Sequence, residues 1–449
     1  MPDVSFTNLL VVMAVAVLAP LIVGYLPRLR VPAVVLEIIG GIIIGPSVLG
    51  WVHVDLPVSI LALFGLAFLL FLAGLEIDVH RLRGRLLRYA VLGYLVSLVL
   101  AYGAGASFTA IGWVSQPLLL AIVLSSTALG LVVPVLKDAR QLHSEIGQTA
   151  LAAAGVADFS AIVLLSLFFS SSGGSTGSRV VVLGAFAGLV AVTGLVVSGV
   201  ARSMRLGQVL VRLQDTTAEI RVRFAVLLLV AFTALAARFG LESILGAFLA
   251  GAIVGLVDRD SASHPNFRIK LDAIGYGFLV PVFFVTSGIR LDLTGLLHSP
   301  SALVRVPVFL LALLVVRGLP ALLRLRANGP KPTLALGLLQ ATSLPFIVAA
   351  TQIGVALGKI TPLTAAALVC AGLLSVLIFG PRAREPAPRR ARTRRSRTHR
   401  AWSGGGRTDT RTAPDVNGHT VAGPRSGGAP STARRSTDDQ DRQTYRLTE

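Results

Sequence analysis

"EIIGGIIIG", residues 37–45, returns in altered form as "SILGAFLAGAIVG", residues 243–255, with Gly41 and Gly45 falling on Gly251 and Gly255. A second pair follows in the same order. "FLLFLAGLEIDV" (68–79) matches "PVFFVTSGIRLDL" (281–293), with Gly74 on Gly288 and Asp78 on Asp292. Both pairs lie in apolar stretches of the length that crosses a bilayer as a helix, about 20 residues. Thirteen such spans can be drawn, at about 7–26, 31–50, 57–77, 87–111, 116–136, 146–171, 179–201, 219–238, 240–257, 271–291, 302–324, 332–357 and 360–380. The matched pairs are seven spans apart. An odd offset turns the second copy upside down, which gives inverted-topology repeats over about 31–171 and 240–380. Repeats of that kind mark secondary transporters and place the substrate site near the midplane between them.

Composition agrees with a membrane domain. Of 449 residues, 54% are hydrophobic and 14% charged, against roughly 25% charged in soluble chains. The fold class is therefore an all-α polytopic membrane protein occupying residues 1–380. One cysteine, Cys370, excludes an intramolecular disulfide framework and a four-cysteine metal site, and in "AAALVCAGLL" it reads as a small buried hydrophobe. No cleavable leader is expected, because the first span is long enough to be retained. The net charge of +19 does not point to nucleic acid, since basic loops on the cytoplasmic side produce it. Loops after the odd-numbered spans carry "PRLR", "HRLRGRLLR", "KDAR", "DRDSASHPNFRIK" and "RLRANGPK", whereas "WVHVDLP" and "AIGWVSQ" opposite are nearly free of Lys and Arg. The positive-inside rule then predicts a cell-membrane protein with its N-terminus outside and its C-terminus in the cytoplasm.

Two spans contain helix breakers at matching repeat positions. The fifth reads "AIVLSSTALGLVVPVLKD" (121–138), with Ser125, Ser126 and Thr127 mid-membrane before Gly130 and Pro134. The twelfth reads "LGLLQATSLPFIVAATQIG" (336–354), with Gln340, Thr342 and Ser343 before Pro345. Proline removes a backbone donor and clashes with the preceding turn, and the freed carbonyls need hydroxyls or a cation as partners. The expectation is two discontinuous helices that cross. Beside them runs "LAAAGVADFSAIVLLSLFF" (151–169), an apolar span carrying one acid, Asp158. An ionised Asp at the centre of a membrane helix costs roughly 2.5–3.5 kcal/mol on insertion scales, and burial disfavours its charged form unless a proton or a cation compensates. A site that holds one or the other in turn is an exchanger, with a monovalent cation at Asp158. No cofactor is called for.

Taken together, "VPAVVLEIIGGIIIGPSVLG" (31–50), "FGLAFLLFLAGLEIDV" (64–79), "LSSTALGLVVPVLKD" (124–138), the Ala157–Asp158 pair, "LGAFLAGAIVG" (245–255) and "PVFFVTSGIRLDL" resemble the monovalent cation:proton antiporters. The resemblance is closest to the bacterial subgroup of sodium/proton exchangers and glutathione-gated potassium efflux systems, and it covers about residues 5–380 in order. It implies a homodimer, a panel of helices for dimerisation and a mobile core domain. It also implies Asp158 as the carrier of Na+ or K+ and of H+, with Ser126 and Thr127 as neighbours. Two departures stand out. The position before Asp158 is Ala157, where the family carries a polar or acidic partner, and the tenth span, "GYGFLVPVFFVTSG" (275–288), lacks the lysine of electrogenic relatives. A lone carboxylate without that lysine predicts one-for-one, electroneutral exchange.

Other classes fit less well. A cation channel would need a filter loop, and a symporter of small organic anions would need an intramembrane basic residue for the substrate carboxylate, which this reading does not find. An enzyme is not expected, because the seven histidines are scattered. Among the remaining polar residues, Glu37 in the second span is a possible gate or proton-path acid. Glu76 and Asp78 at the inner end of the third are expected to form ion pairs with "HRLRGR" or to sense pH. Arg290 at the outer end of the tenth is an anchor or a charge-balancing group. Lys137, Asp138, Arg140 and His143 are read as topology signals, and Glu242 as an acid suited to the start of the ninth span. Residues 381–449 change character: 382–449 hold sixteen arginines and seven acids among Pro, Gly, Ser and Thr. They read as a disordered basic cytoplasmic tail that can contact anionic lipid. With no GxGxxG unit after residue 380, gating by a nucleotide-binding domain is not expected.

Overall fold

The computed structural model describes residues 6–25, 31–76, 84–128, 132, 136, 141, 144–169, 176–201, 219–257 and 265–383. These residues contain helices and no strand. The first helices are α1 (Thr7–Tyr25), α2 (Ala33–Ile44), α3 (Leu56–Leu75), α4 (Arg85–Ala110) and α5 (Pro117–Ser125). Then come α6 (Glu145–Phe169), α7 (Thr176–Ala201), α8 (Ile220–Arg238), α9 (Ser243–Val257) and α10 (Pro265–Ile274). A π-turn (Gly275–Leu279) joins α10 to α11 (Val280–Ile289), and the short α12 (Leu293–His298) follows. Helix α13 (Pro300–Leu313) runs through a second π-turn (Leu314–Gly318) and a 3-10 segment (Leu319–Arg324) into α14 (Leu325–Asn328). The last three are α15 (Pro330–Gln340), α16 (Pro345–Ala356) and α17 (Pro362–Ala383).

Among the described residues nine helical stretches are long and apolar enough to cross a membrane, and Ala33–Ile44, Val180–Leu195 and Ser243–Leu256 are apolar but shorter. The second span is therefore helical over 33–44 alone, because the chain leaves the helix at Gly45 just before Pro46. In the fifth, α5 ends at Ser125, and Ser126, Thr127 and Ala128 after it are not helical. Gly130, Pro134, Lys137, Asp138, Arg140, His143, Asp78 and the tail from residue 384 lie outside the described residues.

The helices pack as two groups. In the first, which we call the panel, α3 lies along α9 and α11, α2 along α11, and α8 along α9. In the second, the core, α4 packs on α5 and α6, while α13, α15 and α16 pack on α17. The panel's contacts are made at glycine. A Cβ on Gly41 would collide with Val285 O, and one on Gly288 with Ile38 O, so α2 and α11 touch backbone to backbone. Likewise a Cβ on Gly74 would meet Phe248 O and one on Gly251 would meet Phe71 O, which joins α3 to α9. In lipid, where no hydrophobic drive separates helix from solvent, such small-residue contacts supply van der Waals packing between backbones. The glycines in these two contacts are the ones matched between the two halves of the sequence. The outward faces carry exposed Leu10, Leu18, Leu63, Leu95, Leu195 and Leu227, apolar surface that suits hydrocarbon.

Candidate functional site

Helix α5 stops because three consecutive hydroxyl residues offer the backbone other partners. Ser125 Oγ donates to Ile122 O (3.0 Å) and Ser126 Oγ to Val123 O (2.9 Å), and Ser126 turns to extended geometry at φ −76°, ψ 159°. The break between α15 and α16 spans residues 341–344 and is closed by Pro345 at the start of α16, a place where a missing N–H costs nothing. All of Ala341, Thr342, Ser343 and Leu344 are buried. Buried non-helical backbone must find partners, and here each break supplies the other. Ser126 Oγ lies 3.0 Å from Ser343 Oγ. Thr127 Oγ1 donates to Gln340 O (3.0 Å), and Ala128 N donates to Thr342 O (3.3 Å). Ser375 of α17 braces the crossing from behind, accepting from Ser343 N at 3.3 Å.

Asp158 comes to this crossing from the middle of α6. It is 8% exposed, and its Oδ1 accepts from Thr127 N at 3.3 Å. Ala157 beside it is fully buried and supplies no ligand. One further member is not among the residues expected from the sequence. Arg317, 1% exposed, reaches in from the π-turn after α13. Its Nε donates to Thr127 Oγ1 (2.7 Å) and its Nη1 to Ser97 Oγ of α4 (3.1 Å). The Asp158 carboxylate lies close enough to act electrostatically on the guanidinium. Tyr94 OH, one turn before Ser97, is 3.4 Å from Ser125 Oγ. The expectation that no basic residue sits inside the membrane domain is thus overturned. The signal was in "FLLALLVVRGLPALL" (309–323), because an arginine alone in an apolar run is expensive and marks an internal partner. Pro320 three residues on cannot donate to the ladder, and the helix widens to π geometry at Arg317.

The structure thus brings together Ser125, Ser126, Thr127, Asp158, Gln340, Thr342 and Ser343, all proposed from sequence. Gln340 and Thr342 take part through their carbonyls. Thr342's hydroxyl is occupied locally by Leu339 O. Glu37, Glu76 and Arg290 lie elsewhere, in the panel. Glu37 on α2 is 5% exposed, and its Oε2 has no hydrogen-bond partner among the described residues. Glu76 caps α3 and pairs at 3.7 Å with Arg268 of α10; the loop arginines expected as its partners are outside the described residues apart from Arg85, whose side chain is not described. Burial pushes its carboxyl up to about 7, with Arg268 opposing and Asp272 adding to the shift. Arg290 ends α11 and donates to Ser59 Oγ (3.2 Å). It lines a cleft of about 260 Å³ between panel and core that is also walled by Asp292, Thr351 and Gln352. On the wall of that cleft Gln352 Nε2 of the core donates to Ser287 Oγ of the panel (2.7 Å).

Chemically the crossing offers one carboxylate, a shell of hydroxyls and backbone carbonyls released from two helices. Hard oxygen donors of this kind suit a small desolvated cation, and the carboxylate alone can take a proton instead.

Comparison with known proteins matches residues 13–384 to the family described as sodium/hydrogen exchanger, transmembrane. A protein of Bacillus subtilis (strain 168) named as a candidate Na+/H+ antiporter is 33% identical over 402 residues, covering 85% of this chain and 63% of its own length. Cation/H+ antiporter 19 of Arabidopsis thaliana is 30% identical over 312 residues, covering 64% of this chain and 38% of its own. The chain therefore spans less than two thirds of these relatives. A solved sodium proton antiporter from Methanocaldococcus jannaschii shares the fold, with a TM-score of 0.55 at 19% identity over 84% of this chain and 95% of that one.

Proposed function

We propose that this chain, which belongs to the sodium/hydrogen exchanger family, exchanges a monovalent cation, Na+ or K+, for H+ across the cell membrane. The observation that carries the reading is Asp158 Oδ1 at 3.3 Å from Thr127 N, where two helix breaks cross. The buried carboxylate is stable only when compensated, so cation and proton compete for it, and neither leaves until the other or bulk water is available. Ser126, Thr127 and Ser343 and the carbonyls of the breaks stand in for the hydration shell. Arg317 stays in place, held by Thr127 and Ser97, as a fixed charge that shapes the break.

Exchange in this scheme is one-for-one. Asp158 carries either cargo as a neutral pair, and Arg317 keeps its charge throughout, so no net charge crosses. Moving an elementary charge would couple turnover to voltage at about 2.3 kcal/mol per 100 mV. Alternating access follows from sliding of the core against the panel in a homodimer, with the N-terminus outside. The basic stretch that follows α17 contacts anionic lipid through its arginines. The test is proton flux in proteoliposomes loaded with Na+, K+ or Li+ in turn. The parent acidifies or alkalinises its lumen in response to one or more of them, and Asp158→Asn does not. Persistence of exchange in Asp158→Asn overturns the carrier assignment, and turnover that scales with an imposed potential overturns the stoichiometry.

A further inference from the structure

Behind the crossing, inside the core, a crevice of about 20 Å³ is enclosed by α4, α6, α15 and the 3-10 segment Leu319–Arg324. Its polar wall is Tyr89, Tyr94, Thr149, Arg317, Arg324 and Gln340, and among the described residues no carboxylate lines it. Both arginines are deeply buried, at 1% and 6% exposure. Each leaves one nitrogen without a hydrogen-bond partner among the described residues, Nη2 of Arg317 and Nε of Arg324. Arg324 Nη2 donates to Glu145 Oε1, and its Cζ lies 4.9 Å from the Tyr89 ring centre. A buried charged donor left unpaired is costly, and native structures rarely keep one without a water or an ion nearby.

What fills such a space is limited by size and by polarity. A cavity of 10–15 Å³ on this measure holds roughly one water-sized particle, so 20 Å³ excludes carboxylates, sulfate and phosphate. Guanidinium groups donate and never accept. The occupant must accept from two cations, and Thr149's hydroxyl hydrogen is already given to Glu145 O. Tyr89, Tyr94, Thr149 and Gln340 offer oxygens to the protons of a water, but a water brings no charge to two buried guanidinium groups. A monatomic anion does. We propose that the crevice is a binding site for a single chloride ion, held between Arg317 and Arg324. Bound there, the anion shares Arg317 with Asp158 and leaves that carboxylate less compensated, which strengthens its hold on a cation or proton. By reciprocity, loading of Asp158 strengthens the hold on chloride. The coupling rests on the carrier role of Asp158, whereas the anion site itself does not.

The experiment uses the full chain in detergent at fixed Na+ and ionic strength, with chloride, bromide or gluconate as the anion. Chloride and bromide are expected to raise the thermal unfolding midpoint saturably, by about 2–4 °C at roughly ten times the dissociation constant, while gluconate does not. Arg324→Gln is expected to abolish that difference. Should it fail to fold, Ala153→Val, which narrows the crevice and keeps both arginines, serves instead, and anomalous diffraction from a bromide-grown crystal locates the ion. Equal midpoints in all three anions, a halide effect that survives both substitutions, or water in place of bromide at the arginines overturns the site. A halide site whose occupancy leaves cation affinity unchanged overturns only the coupling, and an absence of any exchange in the parent bears on the proposed function alone.

Discussion

The panel and the core are both bundles of apolar helices, yet they are held together by different physics. In the panel, Gly41, Gly288, Gly74 and Gly251 bring backbones into direct contact, and the interface has no slack. In the core, Ser126, Thr127, Ser343, Ser375 and Arg317 hold two broken helices by hydrogen bonds between side chains and freed backbone. Dense packing is bistable at best and resists small displacement. Hydrogen bonds among hydroxyls can exchange partners at little cost, with a cation's oxygen shell as one of the alternatives. The difference separates a closely packed group of helices from one whose contacts can rearrange.

The largest expected effect breaks the panel. Gly74→Val places methyl groups where Phe248 O already lies. Overpacking in a core typically costs about 1–3 kcal/mol, occasionally more, and here the colliding atom is backbone and cannot swing aside. The expected outcome is loss of monodisperse protein in size-exclusion chromatography, with Gly251→Val behaving the same way. A core substitution of similar bulk at an open glycine, Gly155→Val on α6, where nothing lies within 4 Å, should leave folded protein. If Gly74→Val is as well folded as Gly155→Val, backbone contact is not what holds the panel.

Next in size is Arg317→Gln. It removes two hydrogen bonds from a charged donor, each worth roughly 1.5–3 kcal/mol, and frees Thr127 from the geometry that presents its N–H to Asp158. Protein should remain folded but with a lowered unfolding midpoint, and exchange should fall by at least tenfold. Arg317→Lys keeps the charge without the fork and should restore stability partly while leaving exchange impaired. Equal exchange in parent and Arg317→Gln would show that the arginine serves packing alone.

These two cases also mark what the sequence disclosed. The glycine pairs were legible because backbone contact demands glycine, and the repeat doubled the signal. Asp158 was legible because a carboxylate in hydrocarbon needs an explanation. Arg317 carries the same kind of signal in "LLVVRGLP", but hydropathy alone absorbs one arginine into a span that is otherwise apolar. The crossing contacts were not legible, because Thr127 Oγ1 to Gln340 O joins residues 213 apart in sequence. Nor was the helix limit at Ile44, where hydropathy continues after the hydrogen-bond ladder has ended.

A smaller effect is expected where the two groups meet. Gln352→Ala deletes the 2.7 Å bond to Ser287 on the wall of the cleft. A single neutral hydrogen bond contributes about 0.5–1.5 kcal/mol, so the unfolding midpoint should barely move. The balance between alternate positions of core and panel should shift by up to about tenfold, read as a changed apparent cation affinity when flux is assayed from the two sides. Unchanged affinity from both sides would mean that the bond is not maintained in one position more than in the other.

The smallest effect belongs to the panel's own charge cluster and tests whether it is independent of the core. Glu76 lies just past the end of α3, and burial pushes its carboxyl up to about 7 from the ordinary 4.5, with Arg268 3.7 Å away. The folded state therefore binds this proton more tightly than the unfolded state does. Its contribution to stability is fully present below pH 4.5 and is lost as pH rises through 7. Between pH 5 and pH 8 the unfolding midpoint of the parent should fall by a few degrees more than that of Glu76→Gln, whose amide cannot ionise. Asp158→Asn removes a different proton, and its effect on the slope should add to that of Glu76→Gln, because Asp158 sits in the other helix group. If instead Asp158→Asn flattens the slope and Glu76→Gln does not, the proton that governs stability is held at the crossing, and the panel is not the independent frame that its glycine contacts describe.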